Sequence, residues 1–583
     1  MEYPTLYVKG KSTQVTDAFA GYNHNLRINE NEFYDMQNMT SDCYPVLAPR
    51  KNRGLYKDGI QANGIIAKDR LCYVDGSCFV AGDKRIDMGL TDTPKTLVSM
   101  GKYVIILPDK KYIDTLSPEN WSNEDWGYID VVNPTTGDVK ITPCTSDGAT
   151  GIPSNTEPTN PFDGMLWLDT SNEHAHTLNR YSSDKNEWVS ISANYTQISA
   201  DHIANGLRQE DGVKISGLEG DASHLNGSFV AYFVNEGSNG YIIINGAVKR
   251  SMTQNKAITV SRTMPELDFV VESGNRLWGC RYGNQAGKGF VNEIYASKLG
   301  DFKNWDCRMN VSTDSYTASC GTDGAFTGAI THNGNPVFFK ENYLHKVYGT
   351  IPSNFQVQAI ACRGVQSGCD KSLAAVNETV FYKARNGVCA YDGSMPVEIS
   401  SAFGDVRYGN AVAGAHGNKY YISMQDEDEN PHFFVFDTSK GVWHKEDDLQ
   451  VDAFCSFKND VYCIEHNTKR IVSLFGTGAM DADRVRWMVE TGTLGMSLPD
   501  MKYVSKILIR MSLELAGKVT VSIQYDSTGH WQRVCQMTAT SMRSFYIPVR
   551  PQRCDHFRIR IEGEGICRIY SITKTIEQGS DVS

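Results

Sequence analysis

Hydrophobic and polar residues alternate along most of this chain in short runs, separated by polar pairs such as Lys-Asp, Gly-Asp and Asp-Gly. Residues 64–67, 70–74, 78–81 and 84–86 form the first such group. A period of two residues predicts β-strands, and the polar pairs between the runs predict tight turns. The pattern therefore predicts an all-β protein built from groups of short antiparallel strands.

Residues 265–306 contain the clearest group: strand, turn, strand, polar loop and strand, ending at Asp301 and Trp305. One such group cannot bury its apolar face alone, so neighbouring groups are needed to complete a core. Comparable groups recur between 328 and 474 at about 45 residues, a spacing typical of propeller blades. We predict a β-propeller of about six or seven blades.

Three regions depart from this rhythm. Residues 132–255 are rich in Thr, Ser, Asn, Gly and Pro, which predicts a small β module inserted between blades. From 481 onward the alternating runs lengthen, with Phe557, Ile559 and Ile561 on one face and arginines on the other, which predicts a β-sandwich. The first 60 residues, with one helical stretch at 30–39, predict either an extended arm or a strand that closes the ring of blades.

The predicted domains follow from these departures. They are an N-terminal arm at 1–60, the first propeller blades at 61–131, an inserted β module at 132–255, the remaining blades at 256–480 and a C-terminal β-sandwich at 481–583.

The charge of the chain is distributed unevenly. The formal net charge is −11, yet from Arg484 onward 14 Lys and Arg stand against 9 Asp and Glu. An acidic body argues against a DNA-coating protein, because phosphate binding needs clustered cations. It suits a channel wall along which DNA slides, although an acidic balance is also common among cytoplasmic proteins. Fifteen cysteines without a CxxC pair indicate free thiols in a reducing compartment.

Motifs of catalysis are missing from the sequence. No P-loop, nucleophile elbow, zinc-protease or dinucleotide fingerprint occurs. The Gly-rich stretch 283–289 leads into another strand instead of a helix, so it predicts a long hairpin and not a phosphate cradle. We therefore expect no enzymatic activity, no catalytic residues, no metal and no cofactor.

Two sets of residues are candidates for binding. Trp167, Tyr181 and Trp188 in the inserted module are flat aromatic groups that either stack on sugars or pack a small core. The C-terminal basic cluster either docks on an acidic neighbour through bidentate pairs or forms a solvated sheet face. That cluster comprises Arg550, Arg553, Arg558 and Arg560.

Several stretches resemble known proteins. The segment GNRLW followed by a Gly-rich loop and NEIYASKLGDFKNW, and the segment DMQNMTSDCYPVLAPRKNRG at 35–54, resemble the tail nozzle and tail hub β-propeller proteins of short-tailed bacteriophages. The C-terminal stretch 548–572 resembles the end of the same proteins, and PTNPFDGMLWLDT at 158–170 is similar to small β modules of phage tail and fibre proteins.

The resemblance implies a virion structural protein located in the tail and made in the cytoplasm of the bacterial host. Its expected partners are further copies of itself in a hexameric ring, adaptor, hub or fibre proteins, and genomic DNA that passes without sequence-specific contact. Two alternatives remain open at this point. One is a receptor-binding or baseplate protein that recognises host surface glycans, and the other is a polysaccharide depolymerase on a propeller scaffold.

Overall fold

The computed structural model describes residues 10–476, 484–498, 501–514, 517–538 and 541–578. The prediction of an all-β protein is confirmed. The helices of the described residues are five short 3-10 turns, Pro118–Asn120, Gly220–Leu225, Pro352–Asn354, Asp370–Ser372 and Ser401–Phe403. The chain divides into two compact units. Unit 1 is Met1–Lys95, Phe339–Leu344 and Ile360–Ser583, and unit 2 is Thr96–Phe338 and His345–Ala359.

Seven four-stranded sheets account for the short alternating runs, and we number them along the chain. Sheet 1 is Ala62–Ala67, Leu71–Asp75, Cys78–Ala81 and Lys84–Asp87; sheet 2 is Thr96–Met100, Tyr103–Leu107, Lys111–Asp114 and Trp126–Tyr128; sheet 3 is Phe269–Ser273, Arg276–Gln285, Gly289–Ala296 and Tyr316–Ser319; sheet 4 is Phe326–His332, Asn335–Lys340, Tyr343–Tyr348 and Gln356–Ala361. Sheet 5 is Ala374–Val376, Thr379–Ala384, Gly387–Tyr391 and Val397–Glu398; sheet 6 is Gly409–His416, Lys419–Gln425, Pro431–Asp437 and Val442–Lys445; sheet 7 is Val451–Phe457, Asp460–Glu465, Ile471–Ser473 and Gly54–Lys57.

The sheets within each unit pack against one another through apolar side chains. In unit 1, Tyr73 of sheet 1 joins Ile464 of sheet 7 in one buried cluster. Phe433 of sheet 6 joins Val461 of sheet 7 in another. In unit 2, sheets 2 and 3 share a core that includes Ile105, Leu277 and Trp305. Sheets 1, 2, 3, 6 and 7 therefore each share a core with a neighbouring sheet, as expected for blades.

Sheet 7 takes its outer strand from the N-terminal part of the chain. Gly54–Lys57 pairs antiparallel with Ile471–Ser473, with Leu55 opposite Val472. Tyr56 meets Tyr462 edge to face at 5.1 Å between ring centroids. Gly54–Lys57 is therefore a strand of a sheet, and its closing of a ring of blades, the alternative to a free arm, stays a prediction.

The region between sheets 2 and 3 forms two sheets of its own, both in unit 2. The large sheet has eight strands, Val131–Pro134, Val139–Cys144, Tyr195–Ser199, Gly212–Ser216, Gly227–Asn235, Tyr241–Asn245, Met252–Gln254 and Thr259–Arg262. The small sheet has four, Ile152–Ser154, Leu166–Asp169, Thr177–Ser182 and Glu187–Ser190. Buried aliphatic residues such as Ile141, Ile198 and Ile242 form the core of the large sheet. The predicted boundaries at 132 and 255 stay predictions.

Two further sheets of unit 1 combine both ends of the chain. The first contains Gly21–Tyr22, Glu32–Gln37, Arg486–Thr491, Phe557–Glu564, Lys518–Tyr525 and Gln532–Met537; the second contains Lys11–Thr16, Cys567–Gln578, Lys502–Leu513 and Arg543–Ile547. A separate two-stranded pair, Met39–Thr40 with Ala48–Pro49, follows the N-terminal strands of both sheets in the sequence. The predicted alternation holds, since Phe557, Ile559 and Ile561 are buried. Lys11–Thr16, Gly21–Tyr22 and Glu32–Gln37 are thus strands of these two sheets, and the boundary of the predicted arm at 60 stays a prediction.

The helical stretch predicted at 30–39 is wrong, because the structure forms the strand Glu32–Gln37 there. Phe33 and Met36 are both buried, and their spacing of three residues resembles that of a helix face. A bulge between Phe33 and Asp35, where the strand pairs with Arg486–Thr491, shifts the alternation by one residue. The distant partner strand therefore overrides the local pattern.

Candidate functional site

The three aromatic residues predicted to contact glycans come together on the small sheet. Trp167, Tyr181 and Trp188 lie on three adjacent strands of that sheet. The ring centroids of Trp167 and Trp188 are 5.4 Å apart and those of Tyr181 and Trp188 are 5.3 Å apart, both edge to face. Such pairs stabilise a small sheet beyond the area they bury.

Part of this aromatic cluster is open to a ligand. Trp167 is 7% exposed, and its indole N–H donates to Ser154 O at 3.1 Å, so this ring packs the sheet. Tyr181 and Trp188 are half-buried, and the Tyr181 hydroxyl donates to Asn186 Oδ1 at 2.6 Å. Only the latter two rings can contribute to stacking, and the glycan contact stays a prediction.

The four arginines predicted as an assembly contact divide into two pairs. Arg558 and Arg560 bind the buried carboxylate of Glu490, at 2.6 and 2.7 Å. Their acidic partner lies within the chain, so these two guanidinium groups are paired without a neighbouring molecule, and their part in an assembly contact stays a prediction. Arg550 and Arg553 are exposed, and for them the intermolecular contact stays a prediction.

Unit 2 contains a polar cavity of about 670 Å³ that the sequence did not reveal. Residues of the large sheet and of sheet 3 line it, among them Lys214 on the strand Gly212–Ser216 and Lys288 at the tip of a sheet 3 hairpin. That hairpin, Arg276–Gln285 with Gly289–Ala296, confirms the predicted long hairpin at 283–289. The Gly-rich stretch was the one sequence signal near the cavity.

A buried ion pair lies at this cavity. Arg262 donates to Asp211, and the two side chains are 4% and 3% exposed. The same Asp211 oxygen accepts the backbone N–H of Arg208 at 2.8 Å. Burial raises the pKa of the Asp211 carboxyl, and the positive charge of Arg262 opposes that shift. Arg262 Nε is buried and has no hydrogen-bond partner among the described residues.

Side-chain contacts hold the tip of the sheet 3 hairpin in place. The Tyr295 hydroxyl donates to Glu293 and lies 3.0 Å from Gln285 Oε1. Burial first, and then the hydrogen bond to Glu293, raise the pKa of Tyr295. Lys288 Nζ lies 3.7 Å from Glu293 and 5.2 Å from the centre of the Tyr295 ring. These contacts fix the position of the Lys288 ammonium group at the cavity.

Unit 1 contains a buried cluster of charged side chains that contacts the loop before the strand Gly54–Lys57. Arg53 contacts Glu446 at 3.0 Å and Asp447 at 2.8 Å. Arg50 contacts the same two carboxylates at 3.6 and 3.0 Å. Burial raises the pKa of Glu446, and the positive charges of Arg53 and Arg50 oppose that shift. The cluster serves the attachment of the N-terminal segment to sheet 6.

The buried imidazole of His444 on sheet 6 predicts acid sensitivity. Burial, and then the charge of Lys419, lower its pKa from 6.5 to about 4. The unfolded chain takes up this proton below pH 6.5 whereas the folded chain resists until pH 4, so stability is full above pH 6.5 and falls across that window. The loss amounts to about 3 kcal/mol at the acid end.

Denaturant unfolding from pH 7 to pH 4 measures this loss. The His444→Gln variant is expected to lose most of the slope, because it removes the titrating group. The matched control His530→Gln, at an exposed position, is expected to keep the slope of the parent protein. Equal slopes in the parent and in His444→Gln would contradict the assignment.

Comparison with known proteins finds no matching family model and no matching curated protein. Solved structures do match. They include Raptor of Chaetomium thermophilum, at 11% identity and a TM-score of 0.29, which covers 72% of this chain and 29% of that one. An exo-β-1,3-galactanase from Phanerochaete chrysosporium matches at 8% identity and 0.21, covering 52% and 94%. A Trypanosoma rangeli sialidase matches at 8% and 0.24, covering 68% and 93%. The chain thus spans less than a third of the Raptor chain.

The prediction that the chain is not an enzyme is contradicted by this comparison. Glycoside hydrolases and a sialidase stand among the similar structures, so missing sequence motifs do not exclude activity on this kind of scaffold. At these identities the likeness concerns the all-β fold, and we assign no reaction from it.

The described residues contain no helix that is long and apolar enough to cross a membrane. They also contain no group of three or more His, Cys, Asp or Glu side chains placed to hold a metal ion. All fifteen cysteines are free thiols.

Proposed function

We propose that this chain is a structural component of a bacteriophage tail, a nozzle or hub protein that assembles as a ring around the path of the DNA. The resemblance of residues 35–54 and 265–306 to such proteins motivates the proposal. In this proposal the seven four-stranded sheets are the blades of one propeller, with Gly54–Lys57 as the strand that completes the last blade. The two sheets formed by both chain ends are its sandwich.

The observation that carries the proposal is the pairing of the two ends of the chain within unit 1. Lys11–Thr16 pairs along its length with Cys567–Gln578. Glu32–Gln37 pairs with Arg486–Thr491, and Gly54–Lys57 pairs with sheet 7. Terminal segments are usually the first parts of a domain to fray, and here they are held in register by distant strands. A part that must keep its shape while DNA is ejected benefits from this arrangement.

The test uses the full chain and the particle from which it derives. Purified protein is expected to form rings of defined symmetry in electron micrographs, with a mass several times that of the 64.9 kDa chain. Antibodies to the chain are expected to label the tails of intact virions. A strictly monomeric protein that is absent from purified particles would overturn the proposal.

A second function, recognition of a host surface glycan, is favoured by the small sheet. Besides the half-buried rings of Tyr181 and Trp188, this module exposes apolar side chains, with Phe162 at 68% and Ile152 at 52%. Aromatic side chains with one accessible side are suited to stacking on sugar rings. The tail protein and the glycan receptor are compatible functions, because one module can carry the second.

Substitution of the exposed rings tests this second function. Tyr181→Ala combined with Trp188→Ala is expected to reduce binding to host cells or to a glycan array by about tenfold, since each lost stacking contact costs about 0.5–1.5 kcal/mol. Phe162→Ser is a milder change. The Phe162 ring is 68% exposed, so its loss does not remove packing that the sheet needs to fold. Unchanged binding in a folded double variant would exclude the module as the receptor site.

A further inference from the structure

We propose that the cavity of unit 2 binds a saccharide that carries a carboxylate group. The cavity measures about 670 Å³, which lies in the range of pockets for small organic ligands and exceeds the space needed by a simple anion. The site lies entirely within unit 2, and the inference stands whether or not the chain is a tail component.

Positive charge exceeds negative charge around this cavity, although the whole chain is acidic. Five cationic side chains line it against three carboxylates. The cationic set is Lys110, Lys214, Arg262, Lys288 and Arg308, and the acidic set is Asp130, Glu266 and Asp306. Asp211 and Glu293 are not part of the lining but pair with Arg262 and Lys288, so the excess comes down to one ammonium group, that of Lys214, which favours a ligand with a negative charge.

Most of the charged side chains at the cavity already form ion pairs within the chain. A side chain without an ion pair is where we expect the ligand to bind. Lys110 contacts Asp130 at 2.9 Å, and Arg308 contacts Asp306 at 3.2 Å. Lys214 has no ion pair within the part of the chain that the structure describes, and it is exposed. Its Nζ lies 3.9 Å from the point where a Cβ on Gly287 would be, beside Lys288. The Lys214 ammonium group therefore lies next to the hairpin tip that carries Lys288.

A second, independent observation is the unsatisfied Arg262. This side chain lines the cavity and is 4% exposed, yet its Nε has no hydrogen-bond partner among the described residues. A buried donor without a partner costs about 1–3 kcal/mol. A ligand oxygen that accepts from it recovers that energy.

The remaining polar lining distinguishes a sugar acid from a bare anion. Hydroxyl groups of Ser228, Ser261, Thr263 and Thr317 and the amide of Gln285 line the cavity. Groups that both donate and accept match the several hydroxyls of a sugar, whereas an inorganic anion has few or no hydroxyl groups to donate. Apolar lining by Val213, Met264 and Trp305 adds surface for the ring carbons.

The walls of the cavity are held in place by close backbone contacts. Gly212 approaches the loop after Trp305 so closely that a Cβ there would lie 2.3 Å from Asp306 O. The Gly212 N–H donates to Asn304 Oδ1 at 2.9 Å, and the Asn304 amide donates to Glu210 O at 3.1 Å. The site is therefore preformed before a ligand arrives.

Calorimetric titration of the full chain with defined oligosaccharides tests the proposal. The acidic probes are trigalacturonate, a hyaluronan tetrasaccharide and 3′-sialyllactose, and the neutral probes are galactotriose and lactose. At least one acidic probe is expected to bind, with an affinity that weakens at high salt, while its neutral counterpart binds at least tenfold more weakly, or about 1.4 kcal/mol.

Substitutions then locate the site. Lys214→Ala combined with Lys288→Ala is expected to weaken binding of the acidic probe by about tenfold. The matched control is Lys140→Ala with Lys185→Ala, which removes the same charge from exposed positions of the same unit outside the cavity, and it is expected to bind like the parent. Thermal unfolding verifies that both double variants are folded.

Four results would overturn the inference. They are no binding of any acidic probe, equal binding of the acidic and neutral probes, binding of inorganic phosphate as tight as that of the best acidic sugar, and equal weakening in the control variant.

Discussion

Replacement of Arg53 by methionine is expected to destabilise unit 1 by about 3 kcal/mol, the lower end for a broken buried ion pair, because Arg50 still contacts Glu446 at 3.6 Å. Arg53 contacts Glu446 at 3.0 Å, and the Glu446 side chain is 9% exposed. Methionine retains the apolar length of the side chain, so the change isolates the lost charge. Denaturant unfolding followed by tryptophan fluorescence measures the difference.

Two further variants give this result its meaning. Arg85→Met removes an arginine from an ion pair in which its side chain is 56% exposed, and it is expected to cost less than about 1 kcal/mol. Glu446→Gln in the Arg53→Met background is expected to recover part of the loss, because it removes the uncompensated charge. If Arg85→Met and Arg53→Met were equally destabilising, the buried cluster would not be what holds the N-terminal loop.

Replacement of Gly21 by alanine is expected to cost about 2–5 kcal/mol, because two effects add. The residue has φ of +85°, a conformation that is unfavourable for side chains. The added Cβ would also lie 2.4 Å from Trp443 O, so the N-terminal strand must move away from sheet 6. Thermal unfolding and limited proteolysis of the first 40 residues report the two consequences.

Gly59 provides the matched control for this substitution. It has φ of +68° and no neighbouring atom within 4 Å of an added Cβ. Gly59→Ala is therefore expected to show the conformational cost alone, about 1 kcal/mol. A Gly21→Ala variant no less stable than Gly59→Ala would show that the close approach to sheet 6 does not matter.

The sequence was sufficient to predict the strands whose partners are near in the chain. Alternation and turn residues are local signals, and the strands at 70–74 and 78–81 pair through a hairpin at Gly76. The unit at 265–306 was predicted for the same reason, and the structure extends it by the strand Tyr316–Ser319.

Pairing between distant segments was beyond these signals. Gly54–Lys57 pairs with a strand more than 400 residues later in the chain. The amino-acid sequence of this segment does not specify which sheet edge it joins. At Glu32–Gln37 a bulge produced the spacing of a helix. Local patterns predict that a segment forms a strand. Which strand it pairs with depends on the tertiary structure around it.

The candidate sites show the same division. Trp167, Tyr181 and Trp188 were found because they are aromatic residues close together in the sequence of one region. Lys214 and Lys288 belong to different sheets and meet at one cavity only through folding. Arg558 and Arg560 were visible as a cluster, but the sequence did not reveal that Glu490 neutralises them.

The small sheet leaves and rejoins its host at adjoining points. Cys144 and Tyr195 lie opposite each other in the antiparallel pair that flanks it, so the host strands would remain in register if a tight turn replaced the residues between them. The small sheet can therefore be replaced as a unit. A reporter or an affinity tag inserted at this junction would therefore leave the pairing of the host strands in place.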